Sequence, residues 1–127
     1  MKPIISSVEA LYSSQEPTGE MILDEVVSYL RKSRVITASD LALLMEVNKR
    51  QLYGAMSLLV GLTLGDFITR WRLLQARELL HTEPYSSMNV RADRLNAVAH
   101  RCGWRSSRVM VAVARRLSFD IEAAKTS

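Results

Sequence analysis

The side chains best suited to recognition chemistry fall in two short runs. Arg105, Ser106, Ser107 and Arg108 form one, with Arg101 before them and Arg115 and Arg116 after. Lys49, Arg50, Gln51 and Tyr53 form the other. A guanidinium is a planar fork that matches a phosphate, and it can also bridge O6 and N7 of guanine, as a glutamine amide can bridge adenine. Hydroxyls beside such cations suit phosphate oxygens. Arg105 and Ser106 therefore fit phosphates, Ser107 and Arg108 fit base edges, and Arg101, Arg115 and Arg116 fit flanking backbone. The plainer reading is a pair of solvated polar faces, with Tyr53 covering a core edge.

Other chemistries find less support. His100 and Cys102 are two potential metal ligands, but a zinc site needs three or four, and His81 lies across a loop, so no metal is expected. Cys102 sits on an apolar face and reads as a small core residue, whereas His100 reads as a surface residue. A Cys-His nucleophile lacks an orienting third group. The carboxylates are scattered, without the pairing acid–base catalysis requires. There is no glycine-rich phosphate loop. Trp71 and Trp104 read as core anchors. Neither an enzyme nor a cofactor is expected.

Helices must position these residues. Ile22, Val26, Tyr29 and Leu30 share one helical face, which predicts a helix over about residues 20–32. Thr37 or Ser39 can cap a short second helix with Leu41, Leu44 and Met45 inward. Asn48 interrupts it and can cap a third, over about 49–60, with Leu52, Met56 and Leu59 inward and Gly61 as its stop. Two short helices joined by such a turn form a helix-turn-helix. Thr63 can cap a long helix over about 64–81, striped by Leu64, Phe67, Ile68, Trp71 and Leu74. The periodicity lapses through Pro84 and Ser86-Ser87. It resumes at Leu95, Val98, Ala99 and Cys102, turns at Gly103 and ends in a helix over about 107–117, capped by Ser106 or Ser107. The same unit thus occurs twice. The expected layout is an all-α chain of six or seven helices: an N-terminal arm or short helix (1–19), a first helix-turn-helix lobe (20–63), a linker helix (64–81), a second lobe (82–119) and a tail (120–127).

The chain has 127 residues, 48% of them hydrophobic and 24% charged, the mix of an ordinary globular protein rather than a disordered or collagen-like one. Seventeen basic residues face thirteen acidic ones, and the excess lies in residues 81–127, with eight basic and four acidic. No apolar run reaches the roughly 18 residues of a membrane span. No secretory signal is expected, and a single cysteine points to a reducing compartment.

Residues 67–80 resemble the linker helix of the AraC family of bacterial transcription regulators, through Ile68, Arg72, Leu73, Ala76, Leu79 and Leu80. Residues 98–107 are similar to that family's second turn, an apolar-Ala pair followed by Gly103, Trp104 in place of the usual Phe, and Ser106. Arg115-Arg116 matches the basic pair closing its second recognition helix. The resemblance spans about residues 20–119. It implies a cytoplasmic, bacterial regulator that binds double-stranded DNA as a monomer, places two recognition helices in successive major grooves about 34 Å apart, and contacts RNA polymerase. Gly54, Met56, Ser57 and Leu58 depart from the family's basic and aromatic pattern in the first recognition helix, as do Val109, Met110, Ala112 and Ala114 in the second. The alternative expectation is a degenerate helix-turn-helix acting through protein–protein contacts, favoured if the run Val109, Met110, Val111 and Val113 is exposed.

Overall fold

The computed structural model describes residues 8–14, 16–33 and 35–123. Its architecture is all-α, with seven α-helices, a short 3-10 turn and no strand among the described residues. The chain divides into two compact units, Met1–Trp71 and Arg72–Ser127.

The first unit contains α1 (Val8–Ser13), α2 (Met21–Lys32), α3 (Ala38–Leu44), α4 (Lys49–Val60) and the start of α5 (Leu64–Leu80). The expected arm thus contributes a helix, and its Leu11 is buried in the core. Arg31 fastens this helix: its Nη2 donates to the carbonyls of Leu11, Tyr12 and Ser14, the last at 2.9 Å. The Arg31 guanidinium also lies 5.1 Å from the Trp71 ring centroid. Tyr12 meets Trp71 edge-on at 4.9 Å, and Phe67 stacks on it at 5.9 Å. Trp71 is fully buried and serves as the anchor expected of it. Removing such a ring typically costs about 3–5 kcal/mol.

Two faces differ from expectation. On α2 the buried residues are Leu23, Val26, Val27 and Leu30, with Ile22 and Tyr29 at the edge. On α3 Ala42 turns inward with Leu41, whereas Leu44 is 51% exposed and Leu43 79%. The first turns follow the capping expectations. Thr37 caps α3 in a reciprocal box with Asp40, and Asn48 Oδ1 accepts from the Arg50 N–H at 2.8 Å. Thr63 Oγ1 accepts from the Asp66 N–H at the start of α5.

The second unit contains the rest of α5, a 3-10 turn (Tyr85–Ser87), α6 (Arg91–Arg101) and α7 (Ser107–Arg116). Its core joins Leu73, Ala76 and Leu80 of α5 to Leu95, Val98, Ala99, Cys102, Met110 and Ala114. The expected stripe of α5 is buried, but so are Leu73, Ala76 and Leu80, because the two halves of this helix serve different cores. Ile121 is buried as well, so the segment expected to be a tail belongs to this core. Arg91 pairs with Glu122, and Arg77 lies 4.8 Å over the Phe119 ring, tying that segment down.

Three helices end in one way. After α3, the N–H groups of Met45, Glu46 and Val47 donate to Leu41, Leu43 and Ala42. After α6, Cys102, Gly103 and Trp104 donate to Val98, His100 and Ala99, and after α7, Leu117, Ser118 and Phe119 donate to Val113, Arg115 and Ala114. The middle residue is left-handed each time, at φ 56° for Glu46, 77° for Gly103 and 54° for Ser118. This closure satisfies terminal carbonyls and reverses the chain sharply. It turns α3 into α4 and α6 into α7.

Candidate nucleic-acid interface

Asn48 and Ser106 occupy the same structural position, the caps of α4 and α7. Aligned on them, the two helices correspond residue by residue. Arg50 and Arg108 are second, Gln51 and Val109 third, Gly54 and Ala112 sixth. Leu52 and Met56 point into one core, and Met110 and Ala114, their counterparts, into the other. Helical periodicity then turns Arg50, Gly54 and Leu58 outward on α4, and Arg108, Ala112 and Arg116 outward on α7. All six are exposed.

Each predicted residue can be placed. Lys49, Arg50 and Gln51 form the exposed first turn of α4, and Tyr53, 41% exposed, lies at its flank. Arg101 ends α6 and Arg105 stands in the following turn, both exposed. The Ser106 Oγ accepts from the Val109 N–H at 3.2 Å, so it is a helix cap whose own proton is still available to a phosphate. Ser107 donates its hydroxyl to Asn96 Oδ1, which fastens the start of α7 to α6 and engages the group expected at a base edge. Arg108, Arg115 and Arg116 are exposed along α7. The second unit thus gathers Arg101, Arg105, Ser106, Ser107, Arg108, Arg115 and Arg116. The first holds Lys49, Arg50, Gln51 and Tyr53.

Ten of the arginines divide by employment. Arg31, Arg77, Arg91 and Arg94 are used by the fold, on carbonyls, a ring or a carboxylate. Among the described residues, the side chains of Arg50, Arg101, Arg105, Arg108, Arg115 and Arg116 make no ion pair or hydrogen bond. Nor does any acidic residue occur between positions 94 and 116.

The helix starts show the same contrast. An N-terminus favours a negative charge, and five helices supply one in the first turn: Glu9, Asp24, Asp40, Asp66 and Asp93. The first turns of α4 and α7 hold no acid and instead carry Lys49, Arg50 and Arg108. Each cation there opposes the dipole by about 0.3–1 kcal/mol. An anion brought from outside reverses that sign.

Val109 and Ala112 lie on the exposed side of α7, and Asn96 supports its start; the sequence pattern carries no signal for any of the three roles. Val109 is 38% exposed beside Arg108. The remainder of its apolar run is covered, with Met110 buried and Val111 and Val113 half-buried against the core. Among the described residues, no group of three His, Cys, Asp or Glu side chains is placed to hold a metal ion. No single helix there is long and apolar enough to cross a membrane.

No protein-family model, curated protein or solved structure matches the chain.

Proposed function

We propose that this protein binds double-stranded DNA through the N-terminal ends of α4 and α7 and regulates transcription, in the manner of the AraC-type regulators its sequence resembles. One observation carries the reading: the second helix of each helix-turn-helix starts with cations and no acid, against the preference met at the other five helices. Phosphates supply the missing anions. Arg101, Arg105, Arg115 and Arg116 then hold the backbone around α7, while Arg108, Arg50 and Gln51 meet base edges. A monomer would have two such helices, one in each unit. Contact with RNA polymerase and a bacterial cytoplasmic setting belong to the same proposal.

The second reading, a degenerate helix-turn-helix acting on proteins, draws on the exposed Leu43, Leu44 and Leu58 of the first unit. On α7 only Val109 of the valine and methionine run is exposed, with Met110 buried and Val111 and Val113 half-buried, too little surface to add to it.

Binding to random-sequence duplex across a salt series, followed by selection from a random pool, separates the two. Affinity falling steeply with salt and an enriched two-part motif, its parts about one helical turn apart, support the DNA reading. Weak binding without an enriched motif supports the protein reading.

A further inference from the structure

At its third and sixth positions the recognition edge of α7 is apolar where that of α4 is not. Between Arg108 and Arg116 the outward positions near the start of α7 are Val109 and Ala112. Neither side chain has a polar atom. The equivalent residues of α4 are Gln51, which has both a donor and an acceptor, and Gly54, which has no side chain.

The major groove presents hydrogen-bonding atoms at every base pair, but one apolar group, the C5 methyl of thymine. An isopropyl group pressed on amino or carbonyl edges strips their water and returns no bond. Pressed on a methyl it removes two apolar surfaces from water together. Val109 is a third-position residue, in the turn that reaches bases when a recognition helix docks by its N-terminal half. Its partial exposure is not forced by packing, since Met110 and Ala114 already fill the core side of the helix. Ala112, one turn on, is small enough to let the helix approach.

Resting on the reading of α7 as a DNA-recognition helix, we infer that it selects its half-site by thymine methyl groups, which Val109 and Ala112 contact beside a guanine held by Arg108. The first unit, with Arg50 and Gln51 on a bare Gly54, reads its half-site by hydrogen bonds. The two halves of the target are therefore recognised by different chemistry.

The test uses the full chain and a duplex enriched from the random pool, synthesised once with thymine and once with uracil in its place. The pairing is unchanged and the C5 methyl is lost. Affinity should fall about fourfold for each contacted methyl. In Val109→Ala the ratio of thymine to uracil affinity should shrink towards one at the affected position, while the salt slope stays that of the parent. A merely structural role for Val109 would lower both affinities together and leave the ratio alone. Equal affinity for the two duplexes, with salt-dependent binding intact, overturns the methyl inference and leaves the DNA reading standing. Absence of binding to either duplex overturns both.

Discussion

Replacing Gly54 by alanine should stabilise the first unit and burden its proposed interface. Gly54 is the sixth of the twelve residues of α4, away from either cap. It is exposed, and a Cβ built on it meets no atom within 4 Å. Its backbone is helical, so alanine introduces no strain. Glycine in such a position costs about 0.8–1 kcal/mol relative to alanine, through backbone freedom retained by the unfolded chain. Gly54→Ala should therefore add about 0.8 kcal/mol. For a unit of this size that is a rise of roughly 3–6 °C in Tm. Urea unfolding followed by fluorescence in a Trp104→Phe background, where Trp71 alone reports on the first unit, should show a higher midpoint at an unchanged slope. A lower midpoint would refute the reasoning, because the face of α4 would then not be open. The same variant should bind DNA more weakly if Gly54 lets bases approach the bare helix. Gain in stability with loss of affinity is the expected combination.

Arg108→Ala should relax base preference at one position of the selected site by about 1–3 kcal/mol. Arg116→Ala should weaken binding to all sequences and reduce the salt slope by about one; unchanged affinity in both variants would mean that α7 is not a recognition helix. Asp24 accepts from the Thr18 hydroxyl at 2.7 Å and from the N–H groups of Thr18 and Gly19, and these bonds, the hydroxyl first, hold its carboxyl below the usual range. Its contribution is complete above the unfolded value of about 3.9 and is lost as pH falls through the lower folded value. Asp24→Asn should accordingly lower the urea midpoint at neutral pH, with the gap from the parent closing in acid; a gap independent of pH would contradict this. Glu46→Gly relieves left-handed strain of about 1–2 kcal/mol and adds unfolded-chain freedom of about 0.5–1 kcal/mol, so the urea midpoint should rise modestly; a fall would contradict the strain at Glu46.

Where capping residues bracket a periodic stretch, the sequence was read closely. Asn48 and Gly61 delimit α4 at the residues expected, because a side-chain acceptor and a left-handed stop are local chemistry. The start of α6 is not legible, because its first turn, Arg91-Ala92-Asp93, is exposed and leaves no hydrophobic period to follow. The sequence pattern puts Leu44 inward, but the small Ala42 takes the core position. The site shows a similar limit. The excess of arginine was plain, but which arginines the fold uses was not: Arg31 serves carbonyls some twenty residues away and Arg91 pairs with Glu122, partners that only tertiary structure brings near. Val109 stands in the sequence as one of an apolar run, and a run of valines does not reveal which one faces out.

Cys102 gives the second unit a built-in chemical clock. It is the only cysteine in the chain, and its side chain is fully buried at the turn that leads from α6 into α7. A thiol reagent can reach it only when the core around it opens, so the labelling rate, referred to that of the denatured chain, measures the free energy of that opening. A ligand that binds the closed form slows the clock in proportion to its occupancy. The second unit can thus be followed by itself, with no residue changed.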